Sequence, residues 1–153
     1  MNDAPPAAAL DDARIALIVD SYRRLTGKPL LDTAPDDSRE LARALWFAPR
    51  AVVAHGTEPD PVFFYGNRIA LQLFEMSFEE FAQLPSRLSA EAPAREERAQ
   101  LLEQVALRGC VENYAGMRIA KSGRRFMIEN GVVWNLVDGA GVRHGQAATF
   151  SMQ

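Results

Sequence analysis

The chain has 153 residues, of which 48% are hydrophobic and 24% charged. That length and balance fit one soluble domain with an ordinary core and exclude wholesale disorder. Seventeen basic residues against twenty acidic ones give a net charge of −3, so no basic excess exists to neutralise phosphates and nucleic acid is not an expected partner. A single cysteine excludes an internal disulfide framework and any CxxC-type zinc or redox site.

The start, Met1-Asn2-Asp3, lacks the positive charge of an export signal, and no apolar run approaches the ~18 residues of a membrane span. The expected address is the cytoplasm, with no membrane as partner. Residues 1–9, with Pro5, Pro6 and four alanines, read as a disordered lead-in. Residues 10–48 read as a helical extension. Asp11-Asp12 opens a helix in which Ile15, Ile18, Tyr22 and Leu25 recur at helical spacing, Gly27 stands at its C-terminal cap, and Pro29 prevents its resumption. A second helix begins at Asp37 with Glu40 three residues on, carries Leu41, Ala44 and Leu45 as its stripe, and ends before Pro49.

Ala51 to His55 reads as a buried strand, Gly56 to Pro61 as a turn, and Val62 to Tyr65 as the returning strand of a hairpin. Asn67 then caps a helix that buries Ala70, Leu71 and Phe74. Ser77-x-x-Glu80 is a capping box, with Met76 and Phe81 placed as a hydrophobic staple. Pro85 closes that helix, and Ser86 to Ala92 reads as a loop. Pro93 opens a long helix to Arg108, with Leu101, Leu102 and Val105 on its apolar face and Gly109 beyond its end. From Cys110 the pattern changes to period two, and Ser122-Gly123 turns the chain. Arg125 to Val137 reads as one long strand with a bulge at Asn130-Gly131, although Asn-Gly is also the strongest short hairpin signal. Asp138 to Gly141 is a turn, and Val142 to Met152 is the last strand.

This order predicts an α+β fold: a five-stranded antiparallel sheet with helices on one face, preceded by two N-terminal helices. The first strand is expected beside the last, at the centre of the sheet, within a sheet-bearing domain over residues 49–153.

The element order is similar to that of a PAS domain, as is the Asn67-x-x-Ala70 step from strand into helix. The residues resemble one PAS-like family more closely, the MEKHLA domain. The matching strings include His55-Gly56-Thr57, Asp60-Pro61-Val62-Phe63, Tyr65-Gly66-Asn67, Leu84-Pro85-Ser86-Arg87, Tyr114-x-Gly116-x-Arg118, Val133-Trp134-Asn135-Leu136 and Gly145-Gln146-Ala147-Ala148-x-Phe150. The resemblance runs from about Tyr22 to Phe150. It implies a PAS-like fold and a sensory or regulatory binding role, with no established reaction and no known cofactor. In plant members the domain ends long transcription factors with a homeodomain and leucine zipper, which do not fit in 153 residues, so DNA binding is not carried over. PAS-class flavin photoreceptors hold their reactive cysteine in an Asn-Cys-Arg-Phe-Leu-Gln string before the long helix. The corresponding Pro85-Ser86-Arg87-Leu88-Ser89-Ala90 has no cysteine, which excludes thiol–flavin photochemistry.

Function then rests on polar residues set inside apolar strings, because a polar side chain facing a core must be hydrogen-bonded. In a PAS-like fold the pocket lies between the sheet and its helices. Asn67, Phe74, Phe81, Tyr114, Arg118, Trp134 and Gln146 are the expected ligand-binding residues, aromatic walls with a few oriented polar groups. Against this stands a core filled by the aromatics, with the arginines on a wet sheet face. Arg87, Arg95 and Arg98 are suited to fork an anion, but Glu91, Glu96, Glu97 and Glu103 are close enough to pair with them on an exposed helix face, and that pairing is the expectation. His55 and His144 read as structural histidines, too few for a zinc site and off the helix that would carry a haem ligand. The acid–base pairings they offer, His55 with Asp60 and His144 with Asp138, flank turns, and no nucleophile elbow, phosphate loop or paired metal carboxylates appear. No catalytic or metal-binding residue is assigned, and Cys110 is expected to be buried and inert. The Ile15/Ile18/Tyr22/Leu25 stripe either covers the chain's own sheet or builds a dimer interface. The expected function is a small PAS-like sensory module that binds a small organic ligand and signals through a homodimer or a partner protein. A ligand-free interaction module with a filled core is the alternative, and an uncharacterised enzyme the third reading.

Overall fold

Side-chain caps set the starts of the first four α-helices. The structure is a computed structural model that describes residues 4–33 and 35–152. A 3-10 turn at Ala7–Leu10 tucks in Ala9. Asp11 then caps α1 (Asp12–Thr26) by accepting the Arg14 N–H, and Gly27 ends it in the left-handed region at φ 74°, where a side chain would be strained. Asp37 caps α2 (Ser38–Trp46) by accepting the N–H groups of Arg39 and Glu40. The hairpin follows as β1 (Ala51–His55) and β2 (Phe63–Gly66), then α3 (Arg68–Phe74) and α4 (Phe78–Phe81). Ser77 and Glu80 form the reciprocal capping box on α4. After a 3-10 turn at Ser86–Ser89, α5 (Ala92–Arg108) crosses to β3 (Cys110–Ile119), β4 (Arg125–Val137) and β5 (Arg143–Met152).

The five strands pair antiparallel in the order β2-β1-β5-β4-β3. The last strand is therefore central, with the first beside it, as the sequence implies. β1 is buried along its whole length, as a strand covered on both faces must be.

Asn130-Gly131 does not turn the chain. β4 runs through it, with its register against β5 shifting between Glu129 and Val132 and with Asn130 at φ 52°. A bulge moves the side-chain alternation by one. Phe126, whose ring meets Phe74 edge-on, consequently shares a face with Asn135, whose Nδ2 donates to the Val105 carbonyl in α5. Trp134 takes the opposite face.

Helices α3, α4 and α5 lie on the first face, and α1 lies on the second. Trp134 Nε1 donates to the Ile18 carbonyl (3.3 Å), and its ring meets Tyr22 edge-on at 4.8 Å. Ser21 Oγ donates to the Val137 carbonyl and accepts the Val137 N–H. The stripe of Ile15, Ile18 and Tyr22 is thus buried on this chain's own sheet.

Asn67 ties the hairpin to the helices around it. It is fully buried. Its Oδ1 accepts the N–H groups of Val52 (3.0 Å) and Ala70 (3.1 Å), and its Nδ2 donates to the carbonyls of Leu45 (3.2 Å) and Arg50 (2.8 Å). One side chain therefore joins the end of α2, the start of β1 and the first turn of α3. Asn67→Ala would leave these four backbone groups without that partner in a dry setting. Urea unfolding is expected to show a loss of about 3 kcal/mol or more, and a loss below about 1 kcal/mol would mean these bonds do not hold the hairpin in place.

Candidate functional site

The sheet face beneath α5 is not completely filled. A cavity of about 40 Å³ remains there, room for about three waters at ~10–15 Å³ each. Val53, Phe63, Phe74, Ile128, Val133 and Phe150 make its apolar walls. His55, Ser89, Arg98, Tyr114, Arg118 and Gln146 bring polar groups to it.

Strand β3 supplies Tyr114 and Arg118. A bulge with Asn113 at φ 57° shifts the register beside Tyr114. Tyr114, Gly116 and Arg118 then point to one face by the strand's alternation. A Cβ on Gly116 would stand 2.5 Å from Tyr114 Oη and 3.1 Å from Arg118 Nη1, so the phenol occupies the space the glycine leaves. Tyr114 Oη accepts from Arg118 Nη2 (3.0 Å), and the guanidinium sits 5.5 Å from the ring centroid. Arg118 Nη1 donates to the Met117 carbonyl (2.9 Å).

Helix α5 supplies Arg98, which is 8% exposed. It lies three, four and seven residues before Leu101, Leu102 and Val105, in register with the inward stripe. Burial, and then the neighbouring Arg118 charge, lower its pKa to about 10, so it remains a cation at neutral pH. The expected pairing of the loop and helix arginines with Glu91, Glu96, Glu97 and Glu103 is not the arrangement found. Arg125 binds Glu91, Arg87 binds Asp60 (3.1 Å), and Arg95 Nε donates to the Ala90 carbonyl (3.0 Å). Among the described residues, neither Arg98 nor Arg118 has a carboxylate partner.

His55 closes the other side, at the end of β1. Its Nδ1 lies 3.0 Å from the Gly56 carbonyl, and a carbonyl only accepts, so Nδ1 carries the proton. Nε2 is then a bare acceptor, and it is buried with no partner. Burial pushes the His55 pKa down to about 4, with Arg98 and Arg143 adding to the shift against the Gly56 bond and Glu58. Gly145 lets β5 come this close, since a Cβ there would fall 2.0 Å from the His55 carbonyl oxygen. Opposite His55, Gln146 Nε2 donates to the Leu102 carbonyl (2.9 Å) and to Asn135 Oδ1 (3.2 Å). Gln146 and Asn135 thereby fasten α5 to the sheet.

Of the residues expected from sequence, Phe74, Tyr114, Arg118 and Gln146 border the cavity. Phe81 stacks behind Phe63 (4.3 Å) and against Phe74 (5.5 Å). Asn67 is spent on the backbone, and Trp134 packs under α1. His55, Ser89 and Arg98 join the site without having been expected there. His144 and Asp138 meet at 2.7 Å, but Asp138 also accepts the N–H groups of Ala140 and Val142, which is turn chemistry. Cys110 is half-buried, and burial raises its thiol pKa, with Glu112 adding to the shift. A wider cleft of about 480 Å³ opens on the opposite face, between Tyr22, Leu31, Phe47 and Arg50. Among the described residues, no buried polar atom without a partner lines it.

The MEKHLA domain model matches residues 12–153. The chain belongs to the MEKHLA domain family. The match takes in α1 and α2 as well as the sheet. The homeobox-leucine zipper protein HOX29 of Oryza sativa subsp. indica is 23% identical over 150 residues, covering 90% of this chain and 17% of that protein. The chain therefore spans about a sixth of the length of this curated relative. Among solved structures, a PAS domain of a protein from Colwellia psychrerythraea superposes with a TM-score of 0.66 at 15% identity, covering 75% of this chain and 95% of that one. An RNA-binding light-oxygen-voltage receptor gives a TM-score of 0.68 at 19% identity, covering 82% and 36%. These likenesses establish the PAS fold for this MEKHLA domain.

The burial of neutral His55 gives the domain a defined acid response. The unfolded side chain titrates near 6.5 and the folded one near 4. Between these values the unfolded chain holds the extra proton, so stability is present above about pH 6.5 and is lost as pH falls toward 4. The full effect from this group is about 3 kcal/mol. Urea midpoints across that window should fall more steeply in the wild type than in His55→Leu. Equal slopes would place the acid sensitivity elsewhere.

Proposed function

We propose that this MEKHLA domain is a sensory module that holds a small organic ligand in the cavity beneath α5. Its occupancy is read by a second copy of the chain or by a partner protein. The observation that carries the reading is His55 Nε2, a polar atom on the cavity wall that is buried with no hydrogen-bonding partner, beside the largely buried Arg98, whose guanidinium has no protein acceptor among the described residues. Buried polar groups are ordinarily satisfied, and an unmet one costs about 1–3 kcal/mol. A ligand that completes them recovers that cost. Tyr114, Arg118 and Gln146 add oriented polar contacts and Phe74 an apolar wall, the makeup of a small-molecule site. Asn67, Phe81 and Trp134 serve this site by holding the frame.

Helix α5 is the element best placed to report binding. It covers the cavity and is fastened beside it through Gln146 and Asn135. Because α1 spends its stripe on the chain's own sheet, a partner or second copy docks elsewhere. The curated relative carries the matched region as a small part of a longer protein, which suits a module that serves other domains. The reading takes the module to work in the cytoplasm without nucleic acid. Among the described residues no helix is long and apolar enough to cross a membrane.

Native mass spectrometry of freshly purified protein tests this. The expected result is a mass excess that disappears on denaturation. A bare mass would favour the interaction module with a filled core, a reading that the small size of the cavity supports. A dimer in the same spectrum would assign the readout to a second copy, and a monomer to a partner.

A further inference from the structure

The charges around the cavity narrow the ligand class, and this step rests on the ligand-binding reading above. We propose that the site takes a small hydroxycarboxylate anion of two to four carbons (an estimate from a cavity of about three waters). The guanidiniums of Arg98 and Arg118 hold its carboxylate, its hydroxyl donates to His55 Nε2, and its carbon body lies against Phe74, Ile128 and Val133.

The anion follows from an imbalance. Arg98 and Arg118 are 8% and 7% exposed and share one cavity. They repel each other, as the effect of Arg118 on the Arg98 pKa records. The carboxylates of Glu91 and Asp60 are bound elsewhere, by Arg125 and Arg87. Arg118 directs one donor to the Met117 carbonyl and one to Tyr114 Oη, which leaves its remaining N–H groups free for a ligand. No side-chain N–H of Arg98 has a protein acceptor among the described residues, yet its charge persists at neutral pH. A carboxylate between two such forks gains charge-assisted bonds and removes the repulsion.

The hydroxyl follows from the tautomer. His55 Nε2 is a lone-pair acceptor. A carboxylate oxygen against it would be repelled, so the ligand must also carry a donor. The walls set the rest. Phe74, Ile128 and Val133 favour carbon over a fully polar ion such as phosphate, and the volume excludes large molecules.

Calorimetric titration of the full chain tests the assignment with glycolate and lactate, against propionate, lactamide, propane-1,2-diol and inorganic phosphate at matched ionic strength. Glycolate or lactate is expected to bind and raise Tm. Propionate, which lacks the hydroxyl, and lactamide, which lacks the charge, should each bind about 10-fold or more weakly. Arg98→Met should abolish binding while the ligand-free Tm holds or rises, because it removes a buried like charge. If that variant does not fold, Arg118→Lys keeps the charge but loses the fork, and should weaken binding about 10-fold. His55→Leu should make lactate and propionate equivalent.

Lactamide or the diol binding as tightly as lactate would overturn the anion while leaving a ligand site. Phosphate binding as tightly would overturn the hydroxycarboxylate. No binding of glycolate or lactate at about 10 mM, a level above any useful affinity, would overturn the inference. A mass excess in the native spectrum would still support the broader reading, so the two failures are distinguishable.

Discussion

The bulge at Asn130-Gly131 decides which residues face which helix. An unbroken strand would carry Phe126 and Ile128 on the same face as Trp134, under α1. The extra residue reverses the alternation, so the first half of β4 faces Phe74 while Trp134 meets Ile18 and Tyr22. Gly131 also stands opposite Tyr114, where a Cβ would come within 2.9 Å of the Tyr114 carbonyl oxygen. The bulge and the glycine together fix Tyr114, and through the phenol they fix Arg118.

Helix α5 lies over this face with one unusual member in its stripe. Leu101, Leu102 and Val105 point inward as an amphipathic helix requires, and Arg98 occupies the next inward position. An apolar residue there would bury its surface without cost. A guanidinium must give up hydration, and beside Arg118 it gains no charge in return. The helix is kept in place by bonds from Gln146 and Asn135 to its carbonyls and by Val105 in the core. These hold the middle and end of α5, while the charged cavity lies under its earlier turns.

How much of this was legible in the sequence depends on the range of each signal. Asp11, Asp37, Asn67 and Ser77 cap the helices they precede, because capping involves only the next three residues. The strand order followed from the number and spacing of the elements. Residue types on a strand do not say which face is which, and a bulge upstream changes the answer, so Trp134 lies under α1 rather than at the pocket where the sequence pattern puts it. Glu96 and Glu97 beside Arg98 point to an exposed helix face, although Arg98 is buried. Counting back from Leu101 and Leu102 by helical spacing would have placed it inside. The structural role read for His55 holds at Nδ1, which bonds to the Gly56 carbonyl. The state of Nε2 depends on Arg98 and β5, which lie far along the chain.

The site and the fold therefore oppose each other in a defined way. Local pattern, capping and packing agree through nearly the whole chain, and such agreement is what makes a sequence specify one structure. They disagree at Arg98, Arg118 and His55, three polar groups around one small cavity. Residues retained at a cost to packing are expected at functional sites. A ligand present at 100 times its dissociation constant stabilises the form it binds by about 2.7 kcal/mol, similar to the cost of one or two unmet buried polar groups. Under the proposed function, occupancy would shift how firmly α5 is seated by an amount of that order, and no more, because a ligand moves an equilibrium only by its differential affinity for the two states. That range is enough for a signal and small enough to leave the Asn67 junction and the α1 cover intact.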